Sequence, residues 1–345
     1  MKRHNGVALV AMLLVLAVMV GVTVAAATAH QFGVRRAFNL DRAETSMMLT
    51  RAAELWALDW LQRLDPQGAP AAANALGVLA VMPLLEGYGV RVEGQLVDAQ
   101  SRLNINDLVL AKRTAAASEA LADSAPPGEE EEPVDRDESV EGTEAAKRTA
   151  ERLTRLIASR QAPEALLAAL RDWLDEDSDT RYPDGGEDDF YLRLDPPYRT
   201  ANAGLGRIEE LLLVRGFTRR EFERIAGDVV ALPGPAPLNV NTATPGALVS
   251  LHDRIDRYDA QALIDLRGAQ PFDALIDFLA SDPLAGVDLP EAHLTVRSSY
   301  YLLQLRITRD GDWFGTTTLI ESVPDEPGRI VWRARSDDLE IAAAL

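Results

Sequence analysis

The chain has 345 residues, 47% of them hydrophobic, which is enough for cores in more than one domain. It has no cysteine and four histidines, so disulfides and thiolate metal sites are excluded and a multi-histidine zinc site is disfavoured. The formal net charge of -19 disfavours general binding to nucleic acid and suits a protein that meets divalent cations or basic partners.

An apolar segment follows a short basic start. Two basic residues precede Gly6, and residues 7–29 contain neither a charged residue nor a proline. As a helix this segment would be about 35 Å long, which is enough to cross a bilayer. Apolar residues then recur at helical spacing through residues 30–64, which predicts a second, amphipathic half of the same helix.

Three interpretations of this segment are open. The first is a prepilin-type leader, residues 1–6, which is cleaved between Gly6 and Val7. The second is a secretory signal peptide with a cleavage site near Ala27 or Ala29, and the third is an uncleaved membrane anchor. A helix that continues to residue 64 is unusual for a signal peptide and favours the first interpretation.

Ala11 marks a departure from the usual pilin pattern. It is the fifth residue counted from Val7, where type IV pilin-like subunits usually carry a glutamate. That carboxylate can offset the N-terminal amine of a neighbouring subunit, because a buried charge is costly unless it is paired. A subunit with alanine there suits a position that has no subunit above it.

Beyond the helix the chain predicts an α+β head. Apolar alternation on both sides of Gly94, which we interpret as a turn, indicates strands within residues 65–110. Residues 286–345 contain further strand candidates, whereas residues 149–285 keep helical spacing. The predicted architecture is a long N-terminal pilin-like helix and a small antiparallel β-sheet head, into which a large α-helical domain is inserted.

Residues 111–148 differ from the rest of the chain in composition. They are rich in alanine, serine, proline and acidic residues, and they include a run of four glutamates at residues 129–132. Such a segment cannot bury enough apolar surface to order itself. We predict a solvated, disordered insert, with an acidic arm that binds a partner as the alternative.

An acidic loop in the helical domain is the candidate metal site. The alternation of carboxylates from Asp175 places oxygen ligands on a tight loop, as in a calcium-binding EF-hand. The loop is not an EF-hand, because Thr180 and Gly186 stand where that motif requires glycine and glutamate. The candidate calcium ligands are Asp175, Asp177, Asp179, Glu187, Asp188 and Asp189.

Two other interpretations of this loop are open. One is a solvated acidic loop whose charge is partly offset by Arg181 and Arg193. The other is a carboxylate pair for glycoside hydrolysis. The sequence offers no aromatic-lined groove for a sugar, so we predict no enzymatic activity.

Residues 238–280 form a second motif, which resembles helix-hairpin-helix DNA-binding modules in its Asn-x-Asn-Thr-Ala run. Thr244 and Pro245 are typical of the N-cap and first position of a helix. The stretch that corresponds to the phosphate-binding hairpin, residues 251–256, has no glycine and has two acids. We therefore predict a structural helix pair, with an exported DNA-binding protein as the alternative function.

These features together resemble the protein K family of the bacterial type II (general) secretion pathway, a family of minor pseudopilins. The resemblance covers most of the chain. It is carried by Gly6 and Val7, Ala11, Trp173–Asp175, residues 186–191, residues 196–202 and residues 238–243.

The resemblance implies a mechanical function. It implies a complex with the I and J minor pseudopilins at the tip of the pseudopilus, which starts and caps assembly for the export of folded proteins across the outer membrane. It implies a structural calcium ion in the head, and leader cleavage and N-methylation by the prepilin peptidase. It also implies a single-pass inner-membrane protein with a periplasmic head and no nucleic-acid partner.

Overall fold

The computed structural model describes residues 5–63, 77–87, 89–109, 137–323 and 326–336. The chain begins with one long helix, α1, from Asn5 to Arg63. At 59 residues it is about 89 Å long. It is the one candidate membrane span within the described residues, and its apolar part is exposed.

A six-stranded antiparallel sheet packs against the second half of α1. The strands are β1 (Val78–Val81), β2 (Leu85–Gly87), β3 (Val90–Asp98), β8 (Tyr300–Arg309), β9 (Asp312–Glu321) and β10 (Arg329–Arg335). Their order in the sheet is β1-β3-β8-β9-β10, and β2 pairs with β3. On the inner face Leu96 and Leu303 pack with Ala57 of α1, and all three are fully buried.

The prediction of a turn at Gly94 was wrong. Gly94 lies inside the continuous strand β3 and pairs with Leu305 of β8. A Cβ atom at Gly94 would lie 2.6 Å from Leu305 Cδ2 and 3.5 Å from Met82 Cβ. The glycine is therefore required by close packing within the sheet, while the tight turn lies at Asp310 and Gly311, both with positive φ.

An ion pair between the buried Glu54 and the half-exposed Arg333 joins α1 to the edge strand β10. Glu54 is 4% exposed, and Arg333 donates two hydrogen bonds of 2.6 Å to its two carboxylate oxygens. Thr318 donates a third, of 2.9 Å. The pairing with Glu54 raises the pKa of Arg333. This bidentate contact fixes the rotation of α1 on the sheet.

Replacing Glu54 should loosen that contact. We expect Glu54→Gln to lower the free energy of unfolding of the head by about 1–2 kcal/mol, because the half-exposed Arg333 loses its charged partner while Thr318 keeps an acceptor. Denaturant unfolding measures this. Glu44→Gln, at an exposed position of the same helix, is the control. Equal effects of the two variants would show that the ion pair contributes nothing.

The helical part of the chain lies between β3 and β8, as the inserted domain was predicted to do. Seven α-helices of this part lie wholly within the described residues, together with short 3₁₀ turns, and residues 107–109 are also helical. The helices are α2 (Asp137–Ser159), α3 (Ala165–Leu174), α4 (Asp188–Tyr191), α5 (Arg219–Ile225), α6 (Pro245–Val249), α7 (Arg257–Ala269) and α8 (Leu275–Leu279).

The acidic insert is shorter than we predicted from composition. Residues 110–136 lie outside the described part of the chain. Helix α2 begins at Asp137, so the last part of the range 111–148 is helical. Ala145 and Ala146 are buried there. Burial of these small residues favours the helix in spite of the polar composition of the segment.

The helical part consists of two units with the same plan. In the first, β4 (Leu103–Asn104) pairs in parallel with β5 (Val229–Val230). In the second, β6 (Leu238–Asn239) pairs in parallel with β7 (Leu294–Thr295). Each unit thus opens and closes on a short parallel pair, and its helices lie between.

A buried asparagine organises each unit in the same way. The Asn106 side chain donates to the carbonyl oxygens of Leu205 and Leu232 and accepts from the Leu205 N–H, at 2.8–2.9 Å. Asn241 bonds both backbone groups of Phe272 at 2.9 Å. We call this arrangement the asparagine clamp, and Leu205 and Phe272 the clamped residues. Each clamped residue stands two positions before the N-cap of the next helix, which is Arg207 in the first unit and Ala274 in the second.

The two helical units attach to the end of the sheet that lies opposite the β8–β9 hairpin. At one end, the hairpin end (Arg309–Asp312), Arg42 of α1 pairs with Asp312 at 2.7 Å. At the other end, Asp98 of β3 accepts hydrogen bonds from Asn239 and Thr242 of the second unit. Helix α1 therefore enters the head at the hairpin end, and the helical units lie beyond the opposite end.

Candidate functional site

Three acidic side chains converge in the loop that follows α3. One carboxylate oxygen from each of Asp175, Asp177 and Glu187 lies within 4.8 Å of the other two. Asp175 and Glu187 are buried, and Asp177 is exposed at the rim. Oxygen atoms at this spacing are suited to surround a hard divalent cation such as calcium.

A glycine allows the loop to close this tightly. A Cβ atom at Gly185 would lie 2.0 Å from Asp172 Oδ2 and 2.8 Å from the Arg181 nitrogen. The Gly185 N–H donates to the Arg181 carbonyl at 2.7 Å, and Arg215 donates to the Gly185 carbonyl. This packing holds Glu187 against the end of α3.

Arg181 neutralises only part of the cluster's charge. It pairs with Asp172 and with Asp175, each at 2.6 Å. Within the part of the chain that the structure describes, Glu187 Oε1 and Asp175 Oδ1 are buried without a hydrogen-bond partner. Because an unpaired buried carboxylate oxygen is costly, these atoms fit a cation as their missing partner.

Electrostatics at the cluster point the same way. Burial raises the pKa of Glu187 to about 7, and the negative charges of Asp172, Asp175 and Asp177 add to this effect. Burial also raises the pKa of Asp175. Protein groups alone therefore disfavour the charged form of these carboxylates, and a bound divalent cation would favour it.

Aromatic side chains form the wall behind the loop. Tyr191 is fully buried, and its ring lies 5.1 Å from Trp173 and 5.3 Å from Tyr198. The Tyr191 hydroxyl accepts from the Arg215 N–H at 3.0 Å. The loop is thus backed by packed aromatic rings on one side, and Asp177 is exposed to solvent on the other.

The structure does not bring the other three predicted ligands into the cluster. Asp188 starts helix α4, and its carboxylate bonds to Arg199 and Thr200. Asp189 is exposed and pairs with Arg193 at 3.1 Å. Asp179 is also exposed, and its own N–H donates to Asp177 Oδ1. For Asp188 and Asp189 the prediction fails because the onset of α4 turns the residues after Glu187 away.

Sequence reasoning missed the role of Asp172. This residue is fully buried, and its Oδ2 atom accepts the Arg181 N–H at 3.0 Å while Oδ1 pairs with the guanidinium group. It holds Arg181 in place beside the cluster. Its position three residues before Asp175, on the same face of the end of α3, was the available signal.

The predicted processing site lies at the start of α1. Residues 1–4 of the predicted leader are outside the described residues, whereas Gly6 and Val7 belong to the helix. Ala11 is exposed on the same helix. The geometry places these residues at the end of α1 that is furthest from the head.

The helix-hairpin-helix-like motif forms the helix pair α6 and α7. Asp253 in their connection pairs with Arg155 at 2.5 Å. Asp256 accepts hydrogen bonds from the N–H groups of Tyr258 and Asp259 at the start of α7. Carboxylates of the chain thus occupy the place where such a hairpin would offer N–H groups to a phosphate, which gives the DNA-binding alternative no support.

Two family models, both described as "Type II secretion system (T2SS), protein K", match this chain. One match covers residues 101–234, and the other covers residues 238–297. These ranges correspond closely to the two helical units, which begin at the strands β4 and β6.

Full-length relatives give the same result. The chain is 30% identical over 333 residues to the type II secretion system protein K of Aeromonas hydrophila, which covers 93% of both chains. It is 27% identical to the protein K of Pseudomonas aeruginosa, over 80% of this chain and 76% of that protein.

A solved structure has the same fold. It is a chain in the crystal structure of the GspK-GspI-GspJ complex from the enterotoxigenic Escherichia coli type 2 secretion system. The TM-score is 0.64 and the identity is 21%, and the match covers 88% of this chain and all of that one. The similarity confirms the predicted α+β fold class.

Proposed function

This chain belongs to the protein K family of the type II secretion system, as its resemblance indicated, and we propose that it forms the tip of the pseudopilus. It is a minor pseudopilin, a structural component of the secretion apparatus. At the tip it would start assembly and cap it, for the export of folded proteins across the outer membrane. The role we propose is mechanical and involves no catalysis.

The position of the helical units is the observation that carries this proposal. Helix α1 enters the head at the hairpin end, and both helical units lie beyond the opposite end of the sheet, where Asn239 and Thr242 bond to Asp98. In a filament whose subunits are related along α1, this bulk would occupy the space of a subunit above. Ala11 is consistent with the same position, because it offers no carboxylate to such a subunit.

The I and J minor pseudopilins are the partners we propose. The solved structure that shares this fold is titled as a complex of GspK with GspI and GspJ. In this chain, the periplasmic half of α1 leaves large apolar side chains exposed, which is typical of a helix that packs against other helices. They include Phe38, Leu40, Met47, Met48 and Leu55.

Binding to the I–J pair tests the proposal directly. The purified head, residues 30–345, should capture the purified I–J pair at micromolar concentration. If the head fails to bind the pair while the pair itself remains assembled, the tip proposal loses its main support.

We also propose processing by the prepilin peptidase, between Gly6 and Val7. Mass spectrometry of the protein purified from membranes should find a methylated Val7 at the N-terminus. Replacing Gly6 with a bulky residue (Gly6→Leu) should leave the intact Met1 form. A mature N-terminus near Ala29 would instead show a signal peptide, and it would remove the proposed anchoring in the inner membrane with the head in the periplasm.

Calcium is the cofactor we propose for the acidic loop. Asp175, Asp177 and Glu187 would hold the ion, and Arg181 with Asp172 would position Asp175. The ion would supply the positive charge that the buried oxygens lack. By ordering this loop, it would stabilise the connection between α3 and the clamped residue Leu205.

A further inference from the structure

Basic side chains of the two helical units meet where the units join. Arg148 and Arg152 stand one turn apart on α2, in the first unit, and His293 directly precedes β7, in the second. The Arg152 guanidinium donates to the His293 carbonyl oxygen at 3.4 Å. The same oxygen accepts from the Leu238 N–H at 3.0 Å, so Arg152 reaches the end of the β6–β7 pair. We call Arg148, Arg152 and His293 the seam cluster.

Arg152 is buried without a charged partner. Its exposed fraction is 7%, and among the described residues it forms no ion pair. The carboxyl group that acts on it is that of Asp107, which bonds to the Asn104 side chain at 2.6 Å instead. Burial lowers the pKa of Arg152 to about 10, and the charge of Arg148 adds to this effect. A buried charge of this kind is costly unless an opposite charge is brought to it.

Three acidic residues near the cluster offset little of its charge. Burial raises the pKa of Asp107 to about 7, so its carboxyl group is only partly charged at neutral pH. Glu151 and Asp253 both pair with Arg155, at 3.8 and 2.5 Å. Two guanidinium groups and an imidazole therefore stand against one partly charged carboxyl group, in a chain whose net charge is -19.

The other two members of the cluster give solvent access to it. Arg148 and His293 are both half-buried. Arg148 forms no ion pair within the described residues, and Glu144, one helical turn before it, is exposed. His293 has a positive φ of 70°, which is uncommon for a residue other than glycine. Burial and the charges of Arg152 and Arg148 lower the pKa of His293, so a bound anion would favour its charged form.

We propose that the seam cluster binds an oxyanion, either a free anion of the sulfate and phosphate class or a carboxylate of another protein. Guanidinium groups bind both kinds of group through paired hydrogen bonds. The anion supplies the opposite charge that Arg152 lacks, and it joins α2 of the first unit to the strand pair that closes the second. The proposal depends neither on the tip position nor on the acidic loop.

Histidine NMR of the full-length chain in detergent micelles tests this site. The chain has four histidines, so a sample labelled at histidine Cε1 gives few signals, and His293→Gln identifies the signal of His293. Sodium sulfate and sodium acetate are titrated separately, with sodium chloride at matched ionic strength as the reference. We expect a saturable shift of the His293 signal that chloride does not produce, while the signal of His30 on α1 does not move.

The dependence of binding on pH has a defined sign. As pH falls, His293 gains a proton and Asp107 loses its charge, and both changes favour a bound anion. Sulfate keeps the same charge over this range. Its affinity should therefore rise between about pH 8 and about pH 6, the range in which these two groups titrate.

Two neighbouring cations of α2 provide a matched pair of variants. Arg148→Gln should weaken anion binding about tenfold, which is the effect of losing one hydrogen bond between charged groups. Lys147→Gln removes the same charge from the next position, where the side chain is exposed and points to a different face of the helix. This variant should bind as the wild type does.

The two anions also distinguish the two sources. Tighter binding of sulfate supports a free tetrahedral anion, and tighter binding of acetate supports a carboxylate of another protein. The proposal is overturned if neither anion gives a saturable shift, if Arg148→Gln and Lys147→Gln have equal effects, or if affinity for sulfate falls as pH falls. Because the sample contains no other pseudopilin, none of these outcomes bears on the tip proposal.

Discussion

Calcium is expected to raise the midpoint temperature of thermal unfolding of the purified head by about 5–10 °C, and a chelator is expected to reverse this increase. A ligand at one hundred times its dissociation constant stabilises the folded state by about 2.7 kcal/mol. For a protein of this size, about 1 kcal/mol corresponds to a shift of about 2–4 °C. The physical source is the pairing of Asp175 Oδ1 and Glu187 Oε1, two buried oxygens that have no hydrogen-bond partner among the described residues.

Two aspartates in the loop separate specific binding from general charge effects. Asp177 belongs to the cluster and Asp179 does not, although both are exposed and lie two residues apart. Asp177→Asn should abolish most of the calcium-dependent shift, whereas Asp179→Asn should retain it. Equal loss in both variants would indicate diffuse attraction of cations to an acidic loop, and equal retention would place the ion elsewhere.

Glu187→Gln should change stability in opposite directions with and without the ion. Burial and three neighbouring carboxylates raise the pKa of Glu187 to about 7, so the charged form is disfavoured when no cation is bound. In chelator at neutral pH or above, the neutral amide should therefore leave the head as stable as the wild type or more so. In calcium the variant should be less stable, since it lacks a ligand charge. A variant that is less stable in both conditions would show a packing defect instead.

The acidic loop shows what sequence spacing can and cannot predict. The alternation of acidic residues indicated Asp175 and Asp177 as candidate ligands, and Glu187 was added from the far side of the glycines. The structure places these three carboxylates close together. Asp188 and Asp189 were equally acidic and adjacent, and only the onset of α4 at Asp188 turns them elsewhere. The start of a helix one residue after Glu187 therefore decides which carboxylates meet. Such helix boundaries depend on tertiary packing.

The asparagine clamps show a second limit. The segments Leu103–Asn106 and Leu238–Asn241 are nearly the same in sequence, so the repeat itself can be recognised from the amino acids alone. The groups that the asparagines bind cannot be recognised in this way. Asn106 and Leu205 are 99 residues apart in the chain, and the acidic loop lies between α3 and Leu205. In the second unit the clamped residue is nearer, since Phe272 is 31 residues from Asn241 and follows shortly after the end of α7. Hydrophobic periodicity reports which face of an element is buried, and it carries no information about such distant partners.

The exposed face of α1 should carry the contact with the I–J pair. Leu55 is 68% exposed, whereas Ala57, two residues further, is fully buried against the sheet. We expect Leu55→Glu to weaken capture of the pair by the head at least tenfold, because a charge would be buried among apolar helix faces. Binding is measured by titration of the pair, and circular dichroism checks that the head remains folded.

The control for that variant is the same substitution at a distant leucine. Leu192 lies in the helical part, beside the acidic loop, and is 47% exposed. In the chain it stands between Asn106 and Leu205, far from α1. Leu192→Glu should bind the pair as the wild type does. If Leu55→Glu also binds normally, the second half of α1 is not the interface, and the contact must be sought on the sheet or the helical units. If both substitutions abolish binding while the fold is retained, added negative charge on an already acidic head is the cause, and a neutral Leu55→Asn variant then decides between the two explanations. Only a selective loss at Leu55 supports a helix-packed tip, in which α1 both anchors the protein and selects its partners.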